Sequence, residues 1–283
     1  MNDLELKKLA AQIRIDVLKM LKRRGYGHIG GSLSVVELLS VLYGRQMKHD
    51  PNNPKDPNRD YLVLSKGHAG PGLYATLANM QYFDKDLLYT LNEGGTNLPS
   101  HPDRTKTIGV DMTTGSLGQG CSTATGIALG LKLRKMDNYV YLIVGDGELN
   151  EGQCWEAFQF IASNKLNNCI VIIDENKRQL DGFTNDIIYP FSIYEKMKAF
   201  GFYTQVVKGD DINKIDEAIN QLKSINDQAV CLVLDTIKGQ GVKYFEDLES
   251  NHSVKWNNEA TNLATDEAIK QLELFIKEGQ LYD

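Results

Sequence analysis

Two apolar runs in the middle of the chain each end in acidic or amide side chains, and they constrain the fold more than any other feature. Residues 139–144 (YVYLIV) run into Gly-Asp-Gly, and residues 169–173 (CIVII) run into Asp-Glu-Asn. Unbroken apolar runs of β-branched and aromatic residues are typical of strands that are buried on both faces, as in a parallel sheet. We therefore predict two neighbouring strands that deliver Asp146 and Asn176 at their carboxyl ends.

The segments around these runs predict an alternation of helices and strands. Apolar residues recur at helical spacing from Leu6 to Met20 and stop near Gly25, which suits a helix end. We predict further helices at 34–45 (with Ser34 as the N-cap), 118–133, 150–163 and 212–222, and further strands at 61–64, 202–207 and 229–234. This pattern implies an α/β fold with a doubly wound, mostly parallel sheet and helices on both faces. No repeat or linker interrupts residues 1–283, so we predict one domain.

Composition and charge argue against several classes of protein. The net charge of −6 and the pI near 5.5 disfavour a nucleic-acid partner, which would require a basic face. The first residues lack the apolar core of a secretory signal, and no apolar run reaches the roughly eighteen residues of a membrane span. Cys121, Cys154, Cys169 and Cys231 lack metal or redox spacing, so we expect buried thiols in a reducing cytoplasm.

Asp146 and Asn176 together predict a metal site. Ligand crevices in open α/β sheets lie outside the carboxyl ends of the strands, where both side chains would reach one point. Magnesium prefers oxygen ligands and is usually held by one or two protein groups plus phosphate oxygens. Gly145 and Gly147 would let a diphosphate approach the backbone. Gly-Asp-Gly taken alone reads more simply as a turn, and the second strand is what favours the metal site.

Several segments of the chain resemble the thiamine diphosphate binding part of transketolase, specifically the amino-terminal subunit of split, two-chain transketolases. They occur in the family's order and span most of the chain. The segments are GHIGGSLS (27–34), VLSKGHAGPGLY (63–74), SHPD (100–103), TTGSLGQG (113–120), GDGELNEGQCWEA (145–157), DENKRQLDG (174–182) and TIKGQGV (236–242). The resemblance implies the diphosphate-binding domain of the thiamine diphosphate fold. It also implies two cofactors, thiamine diphosphate and Mg²⁺ (or Ca²⁺ or Mn²⁺).

The resemblance also assigns residues to the cofactor and the metal. The metal ligands would be Asp146, Asn176 and the main-chain carbonyl of Arg178. The cofactor-binding residues would be His68, Gly115, Ser116, Leu117, Gly145, Asp146, Gly147, Glu148, Asn176 and Leu180. The glycines of TTGSLGQG do not match a dinucleotide fingerprint. They predict a turn that opens a helix and either meets the diphosphate or serves packing.

The segment DENKRQLDG departs from the family at Lys177 and Arg178, where relatives commonly carry glycine and an aliphatic residue. We hypothesise that the two cations lie near the diphosphate or a second anionic group. Solvent-facing loop charges are an equally good interpretation.

Four of the five histidines fall in or near the matching segments, namely His28, His68, His101 and His252. The resemblance implies that His28 and His252 move protons at the sugar oxygens and that His101 contacts the donor's terminal hydroxyl. His68 would lie near the diphosphate and the substrate. Neutral imidazoles suit proton transfer near pH 7, although a single histidine beside glycine is more often structural. The context of His252 departs from the family, and His49 is predicted to lie on the surface.

Three glutamates follow Asp146. Glu151 matches a family glutamate near the subunit contact and the cofactor-activation network, so we predict a catalytic role for it, whereas Glu156 is predicted to face solvent or a neighbouring helix. The alternative for Glu148, Glu151 and Glu156 is a favourable acidic charge near a helix N-terminus.

The resemblance implies a transferase of carbohydrate metabolism that moves a two-carbon ketol unit from a ketose, or its phosphate, to an aldose. A partner chain would supply the pyrimidine-binding and carboxyl-terminal domains and the cations that grip the sugar phosphate. We expect an α2β2 heterotetramer that is active only when both chains are present.

Two alternatives stay open at this point. One is an α-type subunit of another thiamine diphosphate enzyme, such as a 2-oxo-acid dehydrogenase or a deoxyxylulose-phosphate synthase. The other is a non-catalytic, cofactor-binding regulatory subunit. The sequence also leaves open whether the sugars are those of the pentose phosphate pathway or are branched or modified.

Overall fold

A five-stranded parallel sheet forms the centre of the computed structural model, which describes residues 1–279. The strands are β1 (Tyr26–Gly27), β2 (Tyr61–Leu64), β3 (Val140–Gly145), β4 (Cys169–Glu175), β5 (Phe202–Lys208), β6 (Ala229–Asp235) and β7 (Val254–Lys255). The sheet has the order β2-β3-β4-β6-β5, and every neighbouring pair is parallel. A separate two-stranded antiparallel sheet pairs β1 with β7.

Helices cover both faces of the parallel sheet. The α-helices are α1 (Asp3–Arg24), α2 (Gly30–Leu33), α3 (Val36–Val41), α4 (Gly70–Asn79), α5 (Gln119–Leu133), α6 (Gly152–Ser163), α7 (Thr184–Ile187), α8 (Ile193–Ala199), α9 (Ile212–Lys223), α10 (Lys243–Asp247) and α11 (Glu259–Glu278). Alternate residues of β3 enter different cores, because successive side chains of a strand point to opposite faces. Tyr141 and Ile143 join the core formed with α1, α3, α4 and α9, whereas Leu142 and Val144 join the core formed with α5 and α6. The predicted fold class is confirmed.

The sequence located the strands and the first helix well. Strand β2 has the predicted bounds, and the other predicted strands begin or end within two residues of theirs. Helix α1 ends at Arg24, and Gly25 follows it in the left-handed region with φ 85°. The Gly25 N–H donates to the carbonyls of Leu21 and Lys22, as expected of a glycine that terminates a helix.

The helix predicted at 34–45 is present from Val36 to Gln46, but its predicted start at Ser34 is wrong. The chain forms α2, then α3, and then a π-helical turn at Leu42–Gln46. Ser34 is not an N-cap, because its hydroxyl donates to the buried Asp174 carboxylate at 2.7 Å. A serine hydroxyl that donates to a buried acceptor elsewhere in the fold does not cap the helix next to it.

Two other predictions need correction, and one helix is new. The helix predicted at 150–163 begins at Gly152, after a 3-10 turn at Gly147–Asn150. His49 is half-buried rather than on the surface, and its ring stacks on Tyr82 with centroids 5.9 Å apart. Helix α11, which packs along α1, was not predicted.

Within residues 1–279, no helix combines the length and the apolar character needed to cross a bilayer.

Candidate active site

A cavity of about 240 Å³ lies at the carboxyl ends of β3 and β4. Asp146 directly follows β3 and Asn176 directly follows β4, and the two strands are paired up to Gly145 and Asp174. Both side chains line the cavity. The other residues predicted above as catalytic, cofactor-binding or metal-binding line it too, except Ser116 and Glu151. The fold therefore brings together segments that are far apart in the sequence.

Four imidazoles form a cluster on this cavity. The ring centroid of His28 lies 5.9 Å from that of His68, 5.6 Å from that of His101 and 5.2 Å from that of His252. The β1–β7 pair fixes part of this arrangement, because Gly27 before His28 is paired with Val254, two residues after His252. The register of His252 is therefore set by a sheet that the sequence did not predict.

Burial lowers the pKa of all four imidazoles. Positive charge on Lys238 lowers the pKa of His28, His68 and His252 further, and the pKa of His252 falls to about 3. Buried histidines near cations are neutral at pH 7 because the charged form loses hydration and is repelled. The cluster thus presents proton acceptors rather than imidazolium ions.

Lys238 is in direct contact with His252. Its ammonium nitrogen lies 3.2 Å from Nδ1 of His252 and donates to the Gln179 carbonyl at 3.1 Å, and the residue is 2% exposed. Lys238 lies in the matching segment TIKGQGV, and the residue pattern alone indicates no role for it. Burial lowers the pKa of Lys238 to about 8.

We expect the substitution Lys238→Met to raise the pKa of His252 from about 3 towards its ordinary value of 6.5, because a nearby positive charge is removed. Burial persists, so the pKa should stop short of 6.5. Histidine ¹⁵N NMR titration of the metal-free chain measures this shift directly. Lys177→Met is the matched control, since Lys177 binds Asp235 instead. An unchanged pKa of His252 in Lys238→Met would contradict the electrostatic account.

Asp146 and Asn176 are held in fixed orientations. The Asp146 carboxylate accepts the N–H of Gly147 at 2.8 Å and also accepts the N–H of Lys177. The Asn176 amide nitrogen donates to Asp174 at 2.8 Å, which leaves its oxygen as an acceptor beside the N–H of Arg178. Burial and the charge of Asp174 raise the pKa of Asp146 to about 7. The positive charge around the Asp146 carboxylate is therefore too small to offset its burial and the charge of Asp174.

A buried ion pair, Lys66 with Asp174, lies beneath the cavity, and the sequence analysis assigned it no role. Both side chains are fully buried. Asp174 also accepts hydrogen bonds from the hydroxyls of Ser34 and Thr236. Burial raises the pKa of Asp174, but Lys66 and these donors outweigh it and hold the pKa below its usual value. The position of Asp174 at the end of an apolar strand was the one feature of the sequence that could have indicated a buried charge there.

The three glutamates after Asp146 lie in different surroundings. Glu148 lines the cavity, yet its carboxylate accepts from the Ser65 hydroxyl at 2.5 Å and from the N–H groups of Gly118 and Gly145 at 2.9 and 3.1 Å. It ties three loops together within the protein. Glu151 is exposed at the start of α6 and does not line the cavity, so the structure does not place it with the histidines. Glu156 is exposed, as predicted.

Ser116 does not line the cavity either. It is exposed, whereas its neighbours Gly115 and Leu117 both border the cavity. Leu180 lines the rim and is 63% exposed.

Lys177 and Arg178 both bind protein groups. The Lys177 ammonium pairs with the Asp235 carboxylate. A position of either cation beside the diphosphate stays a prediction. The Arg178 guanidinium lies 4.1 Å from the Phe183 ring centroid and donates to the carbonyls of Leu248 and Glu249 at 2.7 and 2.9 Å. Arg178 thereby fastens the segment that carries His252 to the loop after β4.

We expect Arg178→Gln to loosen the segment 248–253. Two hydrogen bonds from a charged donor are lost, so amide hydrogen exchange in this segment should quicken by about tenfold or more. The main-chain carbonyl of residue 178 is retained, and cofactor affinity should change little. Arg134→Gln, at an exposed position, is the control. Unchanged exchange at 248–253 would show that Arg178 does not hold the segment.

Comparison with known proteins agrees with the geometry. Residues 6–268 match the family described as transketolase, thiamine diphosphate binding domain. The chain is 44% identical over 270 residues to 6-deoxy-6-sulfo-D-fructose transketolase subunit SqwG of Clostridium sp. (strain MSTE9), covering 95% of this chain and 98% of that protein. It is 36% identical over 266 residues to one of the subunits of apulose-4-phosphate transketolase from Actinobacillus succinogenes, covering 94% of this chain and 96% of that protein.

Solved structures show the same likeness. The transketolase of Campylobacter jejuni superposes with a TM-score of 0.83 at 27% identity, covering 98% of this chain and 48% of that one. The chain thus spans about half the length of the solved transketolases that it matches. The resemblance drawn from the motifs is confirmed, and the chain belongs to the transketolase family, in which it forms the thiamine diphosphate binding part.

Proposed function

We propose that the chain is the thiamine diphosphate binding subunit of a two-chain transketolase, which transfers a two-carbon ketol unit from a ketose to an aldose. The observation that carries the proposal is the cluster of His28, His68, His101 and His252 on the same cavity as Asp146 and Asn176. A metal and diphosphate site alone would fit many thiamine diphosphate enzymes. Four neutral imidazoles beside it suit chemistry on a substrate with several hydroxyl groups.

The residues present fit Mg²⁺ and a diphosphate. Asp146 supplies a buried carboxylate whose pKa of about 7 reflects missing positive charge, and Asn176 supplies an oriented amide oxygen. The resemblance to the family implies the main-chain carbonyl of Arg178 as the third protein ligand, and a carbonyl oxygen suits magnesium. Gly67 and Gly115 also suit a close cradle, since a Cβ at Gly67 would lie 2.7 Å from the Gly115 nitrogen. Gly115, Leu117, Gly145, Gly147 and Leu180 would border the cofactor.

Bound thiamine diphosphate supplies the electron sink that cleavage of a carbon–carbon bond beside a carbonyl requires. The protein's own part is positioning and proton transfer. His28 and His252 would accept the proton of the donor hydroxyl that becomes the carbonyl of the released aldose, because both imidazoles are neutral. They would then donate a proton to the carbonyl oxygen of the acceptor aldehyde, which becomes a hydroxyl when the two-carbon unit adds. His101 would orient the terminal hydroxyl of the donor. His68 would position substrate near the diphosphate, and Lys238 would keep His252 neutral.

A partner chain would complete the enzyme. We propose that this chain is a single domain, and that the partner supplies the pyrimidine-binding and carboxyl-terminal domains in an α2β2 heterotetramer. Support comes from the two relatives, which are both named as transketolase subunits, and from exposed apolar side chains beside the cavity rim. In the segment 180–191, Leu180 is 63%, Ile188 59% and Phe191 70% exposed. Exposed apolar side chains grouped in this way are typical of protein contacts. Glu151 would lie where the two chains meet.

The substrate class follows from the relatives. Their names specify a sulfonated fructose and apulose 4-phosphate, so we propose a ketose that carries a terminal anion, with ordinary pentose phosphates as the second candidate. We also propose a cytoplasmic location. The four cysteines are buried and unpaired, which suits a reducing compartment.

The test is turnover by the reconstituted complex. This chain and a partner with the pyrimidine-binding domain would be assayed together and separately, with thiamine diphosphate and Mg²⁺. Donors would be D-xylulose 5-phosphate and 6-deoxy-6-sulfo-D-fructose. The proposal predicts two-carbon transfer that requires both chains and at least one of these donors. Cofactor binding without turnover in any combination would instead favour a regulatory subunit.

A further inference from the structure

A second cavity of about 200 Å³ adjoins the histidine cluster and shares His28 with the candidate active site. Its lining also includes Ser100 and Ser253, the chain neighbours of His101 and His252. Asp146 and Asn176 line only the first cavity. The second cavity therefore offers room beside His28 for the rest of a substrate whose reacting carbons lie at that residue.

The second cavity has a mixed lining, in which Leu21, Pro71 and Leu91 supply apolar surface, and it carries one positive charge. Its polar side chains besides His28 belong to Arg24, Tyr26, Asn92, Ser100 and Ser253, and no carboxylate of residues 1–279 lines it. The volume is roughly that of six molecules of liquid water. This is enough for a tetrahedral oxyanion with an adjoining sugar carbon.

Arg24 differs from the two cations that precede it in the last turn of α1. Lys22 pairs with Asp266, and Arg23 donates to the Tyr89 carbonyl. The Arg24 guanidinium donates only to the Tyr26 hydroxyl, at 3.2 Å, and lies 4.9 Å from the centroid of that ring. Its Nε is buried and has no acceptor anywhere in residues 1–279.

Two interpretations of Arg24 can be compared. A basic side chain at the C-terminal end of a helix is favourable on its own, because it opposes the helix dipole. That effect does not account for a buried N–H without an acceptor among the described residues, since such groups are rare in folded proteins. It also does not account for a cavity whose described lining holds a guanidinium and no carboxylate. An anion bound there would supply the missing negative charge.

We propose that the second cavity binds the terminal oxyanion of the sugar substrate, a phosphate ester or a sulfonate, with Arg24 as its cationic ligand. The Tyr26, Ser100 and Ser253 hydroxyls and the Asn92 amide surround it. This inference rests on the proposed function and deepens it. Part of the anion recognition, which the sequence analysis assigned wholly to the partner chain, then belongs to this chain. The guanidinium fork suits a tetrahedral oxyanion better than an ammonium group does.

The test compares three donors that differ only at C6: D-fructose 6-phosphate, 6-deoxy-6-sulfo-D-fructose and D-fructose. The full complex would be assayed with D-glyceraldehyde as an uncharged acceptor. Arg24→Gln should lower kcat/KM for the anionic donors by about tenfold or more and change it for D-fructose by less than about twofold. Arg24→Lys should fall between. Arg23→Gln, one residue away with the same loss of charge, should match the unsubstituted protein.

The choice of donor sugars also distinguishes a phosphate ester from a sulfonate as the bound oxyanion. A selective loss with the sulfonate alone would identify a sulfonate site, and a selective loss with the phosphate alone would identify a phosphate site. Equal losses with all three donors, or equal losses in Arg23→Gln, would overturn the proposal.

A binding measurement keeps the inference testable if the complex shows no turnover. Inorganic phosphate would be titrated into the full chain while the His28 imidazole is followed by ¹⁵N NMR. The proposal predicts a His28 shift that persists in Arg23→Gln and is lost in Arg24→Gln. A shift of the same size in all three proteins would overturn the anion site. Failed turnover with an Arg24-dependent shift would count against the proposed function alone.

Discussion

Asp146→Asn is expected to abolish metal-dependent binding of thiamine diphosphate while making the metal-free chain more stable. The carboxylate is the one charged ligand we assign to the metal, so its loss should weaken cofactor affinity by about 100-fold or more. The gain in stability arises because Asp146 is 4% exposed and lies near the charge of Asp174. The negative charge of Asp146 serves to bind the metal but lowers the stability of the metal-free fold.

The raised pKa of Asp146 makes the stability of the metal-free chain depend on pH. The pKa of Asp146 in the folded chain is about 7, above its ordinary 3.8, so the folded chain binds this proton more tightly than the unfolded chain does. Its contribution to stability is complete below about pH 4 and is lost as the pH rises through about 7. A neutral amide in place of this carboxylate would carry no such cost, and the melting temperature above pH 7 should rise by roughly 3 °C or more.

Two measurements check this prediction. Calorimetric titration of thiamine diphosphate with Mg²⁺ gives the affinity, and thermal unfolding of the metal-free chain at several pH values gives the stability. Asp181→Asn is the control, since Asp181 is exposed in the nearby loop. Retained Mg²⁺-dependent affinity in Asp146→Asn would remove Asp146 from the metal site. A lower melting temperature at every pH would contradict the electrostatic argument.

Lys66→Met is expected to destabilise the chain by about 3–5 kcal/mol, because it leaves the fully buried Asp174 carboxylate without its cation. Removing one member of a buried pair costs more than the pair contributes, since a charge without a partner stays in a medium of low polarity. The hydroxyls of Ser34 and Thr236 and the Asn176 amide would persist and soften the loss. Urea denaturation measures the change.

The chain offers a matched control and a rescue. Lys19→Met removes a lysine from an exposed pair with Glu273, where a loss of at most about 1 kcal/mol is expected. The double variant Lys66→Met, Asp174→Asn should recover much of the stability, because no unpaired charge is buried. Equal losses in Lys66→Met and Lys19→Met would show that the buried pair has no special role.

The parts of the fold that the sequence predicted are those with local signals. Residues 140–145 and 169–175 form strands because every side chain in the apolar runs can be buried in a sheet covered on both faces. The position of Asp146 and Asn176 then follows, because parallel strands end at one edge. Helix α1 was found through its apolar spacing and the glycine after it.

The errors arose where contacts between distant segments outweigh local patterns. Ser34 resembles an N-cap, but it bonds to Asp174, 140 positions away. Glu148 and Glu151 follow the same aspartate and look alike in the sequence. Only the fold shows that the Glu148 carboxylate is buried and accepts three hydrogen bonds, whereas Glu151 is exposed to solvent. Likewise, nothing local indicates that Arg178 reaches the carbonyls of residues 248 and 249.

The most direct test of the central claim is the position of the metal. Crystals of this chain with its partner, thiamine diphosphate and Mn²⁺ would be measured by anomalous scattering at the manganese edge. We predict one manganese peak at the carboxyl ends of β3 and β4, within bonding distance of the Asp146 carboxylate, the Asn176 amide oxygen and the diphosphate. A cofactor bound elsewhere, or a manganese ion away from both side chains, would contradict the assignment of this cavity as the active site.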